Sequence, residues 1–135
     1  MRVYGGTRKQ RHVLQVLRDD LRALGLGLPV PMSISFDGQL AHLEEDDLGE
    51  HNKVEGVHII RLNASLMDGT LYAVALHEIG HAWGLGHSKA GIMAARDEYR
   101  DVRTLSLRNR RKWLGQVGRA VVAKRLKELV SHESV

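Results

Sequence analysis

Leu76-His77-Glu78-Ile79-Gly80-His81-Ala82-Trp83-Gly84-Leu85-Gly86-His87 is the stretch on which the reading of this 135-residue chain turns. Residues 71–83 read as a helix that Gly84 ends. His77 and His81 are four positions apart, so they stand one turn above each other on one helix face. Two imidazole nitrogens placed there can share one ion at about 2.0–2.1 Å. Glu78 lies about 100° further round the helix. It can therefore reach a water on that ion without ligating the ion itself. A third ligand has to come from off the helix. Glycine tolerates positive φ, so Gly84 lets the chain turn sharply and carry His87 back. Three protein ligands leave a fourth position for water, which marks a catalytic rather than a structural zinc site. The chemistry expected is peptide hydrolysis without a covalent intermediate, with Glu78 taking the proton from water and passing it to the leaving amine. The bland alternative is three surface histidines on and after an ordinary helix.

The residues that follow sharpen this reading. His87-Ser88 leads through a short loop to Gly91-Ile92-Met93. The spacing His77-Glu78-x-x-His81-x-x-Gly84-x-x-His87 resembles the zinc-binding consensus of the metzincin metallopeptidases. Together with Gly91-Ile92-Met93, which looks like a Met-turn, it is similar to the matrixin pattern. The resemblance implies a zinc-dependent metalloendopeptidase with one catalytic Zn2+ on His77, His81 and His87. It implies that Met93 lies under the metal as a hydrophobic floor and not as a ligand. Ile34-Ser35-Phe36 and Leu40-Ala41-His42 resemble strand segments of matrixin catalytic domains, and the helix opening Leu105-Ser106 resembles their closing helix.

The chain also departs from that pattern. The loop from His87 to Met93 is short, no proline follows Met93, and residues 38–56 are brief and acidic. His42 and His58 fall where matrixins have structural zinc ligands, but the His-x-Asp partner is absent, so both read as strand histidines. Glu44, Glu45, Asp46, Asp47 and Glu50 could hold Ca2+, since hard cations prefer carboxylates; a solvated surface loop over Glu44–Asn52 is the preferred reading. Tyr99, six residues after Met93, reads as a packing or surface residue. Trp83 reads as core. His12, His51 and His132 read as surface histidines without partners.

Outward from the motif, residues 7–24 repeat Val13, Leu14, Leu17, Leu21 and Leu24 at helical spacing, and Gly25, Gly27 and Pro29 stop them. Met32, Ile34 and Phe36 alternate with Ser33 and Ser35 as a half-buried strand, and Asp37-Gly38 marks a turn. Residues 39–43 are a second, short strand candidate, and Val57–Leu62 a third. Residues 88–104 look irregular. Residues 105–130 form one or two helices around Leu107, Trp113, Leu114, Val117, Val121, Leu126 and Leu129, with Gly115 and Gly118 as points of kinking or division. The order helix, strands, helix, helix suggests a single α+β domain over 1–135, an α/β sandwich of small mixed sheet, N-terminal helix, active-site helix and C-terminal helix. The matrixin resemblance further implies that, if the strand just before the active helix or the 39–43 segment forms a sheet edge by the cleft, a substrate peptide adds to it as an extra strand.

Composition bounds the alternatives. There is no cysteine, which excludes a disulfide framework, a Cys-ligated zinc and a cysteine switch. No segment approaches the roughly 18 apolar residues of a membrane span. No secretion signal is legible, so the chain reads as cytoplasmic, or as a mature or otherwise exported form. It is expected to be a monomer acting on a peptide or protein substrate. Residues 1–99 carry 10 basic and 13 acidic residues, whereas residues 100–135 carry 10 basic and 3 acidic. That basic tail suits either a solvated helix face or an acidic partner such as nucleic acid or a membrane surface. Two rival functions stay open. A family of bacterial endoribonucleases shares the His spacing, and Arg108, Arg110, Arg111, Lys112, Arg119, Lys124, Arg125 and Lys127 would suit RNA phosphates. A non-catalytic metzincin-like binding domain is the other.

Overall fold

Two strands that the sequence does not announce frame the sheet. The computed structural model describes residues 1–38, 48–94 and 105–133. Within them, β1 (Arg2–Tyr4) precedes the first helix, where the sequence reading begins with the helix itself. Its three residues are too few to show an alternation. The second is β3 (Gly49–Val54), which replaces the expected surface loop over residues 48–52. It forms a hairpin with β4 (Val57–Asn63) through Glu55-Gly56, with φ of 49° and 80°. Two consecutive positive φ values are the mark of the tight hairpin turn whose twist suits antiparallel strands. Polar residues dominate β3, and only this turn betrays it.

The sheet runs β1-β2-β4-β3, with β2 (Met32–Asp37) parallel to both β1 and β4, and β3 antiparallel to β4. Val57–Leu62 is therefore an interior strand, and among the described residues the edge next to it is β3, a correction to the expected placement. Met32 and Ile34 pair with His58 and Ile60 on one face, where Ile34, Ile60 and Leu62 are fully buried. On the other face Arg61 bridges Asp37 and Glu50, with Glu50 Oε1 at 2.7 Å. Glu50 is thereby engaged in the sheet. The 39–43 strand candidate, His42 and the acidic run 44–47 lie outside the described residues.

Helix α1 (Arg8–Leu24) starts on a reciprocal cap: Thr7 Oγ1 accepts from Gln10 N–H, and Gln10 Oε1 accepts from Thr7 N–H. The same Gln10 amide donates to the carbonyls of Ala64 and Leu66 at 2.9 and 2.8 Å, tying the helix start to the turn before α2. Val13, Leu14, Leu17 and Leu21 enter the core as their spacing predicts. Helix α2 (Asp68–Ala82) begins three residues earlier than the sequence suggests, and Trp83 caps it. Every residue from Leu71 to Gly80 is buried. A helix apolar all round is a buried helix, and α2 is the centre of the molecule.

Helix α3 (Leu107–Glu133) is one continuous helix of 27 residues, undivided by Gly115 or Gly118. Each glycine weakens a helix by about 1 kcal/mol. Here Trp113, Val117 and Val121 are buried in the common core on either side of them. The three helices are cross-linked by a polar cluster. Tyr72 on α2 donates to Asp20 on α1 at 2.7 Å, and Arg110 on α3 donates to both Asp20 oxygens at 2.7 and 2.8 Å. Among the described residues no helix is long and apolar enough to cross a membrane.

Candidate metal centre

The last two turns of α2 and the residues after it bring His77, His81 and His87 together. One nitrogen from each lies within 4.8 Å of the other two. His77 is buried, His81 half-buried and His87 exposed. Helical spacing alone aligns the first two. The third arrives through Gly84, which has φ of 86° and ends the helix. A side chain there would be strained by that conformation and would run into the Lys124 ammonium.

The tautomers follow from the hydrogen bonds. His77 Nδ1 is 2.6 Å from the carbonyl oxygen of Ile92, and His81 Nδ1 is 2.7 Å from that of Leu85. A carbonyl only accepts, so each Nδ1 carries the proton and each Nε2 presents its lone pair. Those two Nε2 atoms face each other at 3.1 Å. Two lone pairs at that distance repel unless a proton or a metal ion lies between them. Tetrahedral ligation with bonds of about 2.0–2.1 Å would separate the nitrogens by roughly 3.3 Å. The donor set, all imidazole, and the Nδ1–H bonds to backbone carbonyls suit Zn2+.

Glu78 is buried beside these histidines, 5% exposed. The edge strand reaches it at Gly49. A Cβ on Gly49 would meet Val74 Cγ1 at 2.9 Å and Glu78 Cγ at 3.2 Å. Glycine there allows the backbone of β3 to come against α2 at the level of the carboxylate. Gly49 was not singled out by the sequence reading, although an isolated glycine in a strand signals such an approach.

Met93 is buried, 4% exposed. It packs against Gly80, where a Cβ would meet its Sδ at 2.5 Å. Gly80 was likewise unassigned from sequence, being one of the variable positions of the motif. Further hydrogen bonds hold the turn carrying Met93. Ser88 N–H donates to the Met93 carbonyl at 2.9 Å. From α3, Gln116 Oε1 accepts from Ile92 N–H at 2.9 Å. No local pattern could reveal Gln116, because its partner lies 24 residues away.

Other candidates fall differently. His51 is not an isolated surface histidine: its ring stacks on His58 at 5.1 Å, with Nε2 to Nδ1 at 2.9 Å. Both face the helix side of the sheet by their register with Ile60 and Lys53. Burial holds both below the usual histidine range, helped for His51 by the charges of His58, His81 and Lys53, and for His58 by Lys53. His12 is exposed as expected. Trp83 is partly buried against the core, and its indole N–H donates to the Gly27 carbonyl at 2.9 Å. Tyr99 and the His132 side chain lie outside the described residues.

In a comparison with protein-family models, the peptidase family described as Matrixin matches residues 31–110. The match takes in β2, β3, β4, α2, the three histidines and Met93. No curated protein and no solved structure matches the chain.

Proposed function

Because the chain belongs to the matrixin family of peptidases, whose pattern spans residues 31–110 of its 135, we propose that it is a zinc-dependent metalloendopeptidase. A metallopeptidase-type function comes with the family. The finer reading rests on one observation: three imidazoles within 4.8 Å of one another beside a buried carboxylate.

His77, His81 and His87 would hold the ion, and zinc bound there would supply Lewis acidity to the scissile carbonyl and to water. Glu78 is the general base. Its carboxylate accepts the proton from the attacking water and delivers it to the amine nitrogen as the C–N bond breaks. Its burial keeps that exchange away from bulk solvent. Ile92 and Leu85 carbonyls keep His77 and His81 in the tautomer that offers Nε2. Met93 supplies an apolar floor.

The substrate chain is expected to lie along β3. Asn63 N–H donates to Leu48 O, so 48 and 63 are a hydrogen-bonded pair. Antiparallel ladders alternate such pairs. By the register, Glu50 and Asn52 then turn their backbone groups toward β4, and Gly49, His51 and Lys53 turn theirs outward. A peptide adding to that edge would pass Glu78 at Gly49.

The test is incubation of the zinc-loaded protein with a diverse quenched-peptide library, beside Glu78→Ala prepared identically. Cleavage by the wild type, lost in a variant that still binds one zinc, is the expected result. No cleavage by either protein, with one zinc per chain, would overturn the endopeptidase reading in favour of the ribonuclease or binding-domain alternatives.

A further inference from the structure

The outward face of α3 carries none of the candidate metal ligands, though Arg119 near its border also lines a cavity with Met93, Ile92 and Gln116, and the composition of the face changes along its length. Taking about 100° per residue, Arg108, Arg111, Lys112 and Arg119 fall within an arc of about 100°, and all four are exposed. Continuing along the same arc come Val122, Leu126, Leu129 and Val130. These are 45%, 57%, 57% and 64% exposed. Trp113, Val117 and Val121, which anchor the helix in the core, lie roughly opposite. The face is thus four cations followed by four bare aliphatic side chains, about 33 Å from end to end. Of the two acidic residues of α3, Glu133 is its last residue, on the same arc, and Glu128 lies within the helix. Glu128 points away from this arc and lies 3.6 Å from Lys124.

We propose that this face of α3 docks on an anionic lipid surface, with the helix lying in the interface plane. A helix of this kind buries its aliphatic stripe about 5–10 Å into the headgroup boundary, while the cations pair with anionic headgroups. Each half of the face then has a partner of its own chemistry. Other occupants satisfy only one half. Nucleic acid would engage the cations and leave Val122, Leu126, Leu129 and Val130 in water. A second copy would cover the stripe, but four aliphatic side chains fall well short of the roughly 1,200 Å² that a stable interface buries. Extending that pairing along the face would set cation against cation, or cation against aliphatic chain.

The docked helix has fixed points on the body. Lys124 Nζ is 3.4 Å from the carbonyl of Trp83, at the end of α2, and Arg125 donates to the Leu26 carbonyl at 2.6 Å. These contacts leave the aliphatic stripe outward. The membrane would then be met by the side of the molecule formed by α3, away from β3.

The experiment is co-sedimentation of the full chain with vesicles of mixed phosphatidylglycerol and phosphatidylcholine, beside pure phosphatidylcholine. Binding to the anionic vesicles is expected, with the bound fraction falling at least roughly tenfold on neutral vesicles or in about 0.5 M salt. The Leu126→Asp/Leu129→Asp variant should lose binding while keeping its helix content, because both positions are exposed. Arg108→Glu/Arg111→Glu should lose it independently of the stripe. No binding to anionic vesicles, or equal binding to neutral ones, would overturn the proposal. So would a concentration-dependent dimer that Leu126→Asp/Leu129→Asp abolishes, which would assign the stripe to a second copy.

Discussion

His77 and Gln116, on different helices, grip the same residue: the Ile92 carbonyl accepts from His77 Nδ1, and the Ile92 N–H donates to Gln116 Oε1. The orientation of a candidate metal ligand on α2 is thereby tied to a side chain on α3. Partners of this kind typically change metal affinity by about 10–100-fold when removed. Gln116→Leu should weaken zinc binding within that range, measured by competition with a chromophoric chelator. Gln116→Glu, which keeps an acceptor, should retain most of the affinity. Equal affinity in all three proteins would break the link.

Gly80 and Met93 make a second such pair. A methyl group on Gly80 would come within 2.5 Å of the Met93 sulfur, so Gly80→Ala must displace the Met93 side chain. Overpacking of this kind costs about 1–3 kcal/mol. The double variant Gly80→Ala/Met93→Ala makes room for the added methyl. In urea unfolding it should show less than the summed loss of the two single variants. Strict additivity would mean that the two side chains do not meet.

The clustering of the candidate metal ligands was legible because a helix converts sequence spacing into position. His77 and His81 had to share a face, and Gly84 had to release the chain toward His87. Helix α1 was legible for the same reason. What escaped depends on contacts between segments far apart in sequence. β3 is polar and exposed along much of its length, so it carries no hydrophobic alternation, and its pairing is dictated by the Glu55-Gly56 turn. Gly49, Gly80 and Gln116 matter through what lies opposite them, which no local pattern encodes. Gly115 and Gly118 suggested a division of α3 that burial of Trp113, Val117 and Val121 overrides.

The Asp20, Tyr72 and Arg110 cluster predicts a stability plateau. Burial alone would raise the Asp20 pKa, but hydrogen bonds from Arg110 and Tyr72 outweigh it and hold the carboxyl below its ordinary value. A carboxyl more acidic in the folded state stabilises fully above about pH 4 and loses its contribution as pH falls through its folded value. Tyr72 behaves oppositely. Burial, reinforced by Asp20, pushes its phenol far above the usual range. Its contribution is complete below about pH 10 and declines above it. Asp20→Asn should cost about 2 kcal/mol at neutral pH and flatten both limbs of the stability curve in urea titrations. An unchanged curve would show the cluster to be energetically idle.

The geometry of β3 makes a prediction about the substrate rather than the protein. Gly49, His51 and Lys53 turn their backbone groups toward the edge that is unpaired among the described residues, and Gly49 sits against Glu78. A peptide that pairs with this edge has to give backbone N–H groups at every second residue. Methylating one such nitrogen removes a donor and adds bulk in the plane of the new sheet, without touching any side chain. For a cleaved peptide, single N-methyl scans should therefore alternate. Positions facing β3 should lose roughly tenfold or more in kcat/KM, as expected for a lost hydrogen bond and a clash, and the intervening ones far less. Away from the scissile bond the loss should fall mainly on KM. A scan without alternation would mean that substrate is held by side chains alone, and β3 would then be a wall of the cleft rather than its template.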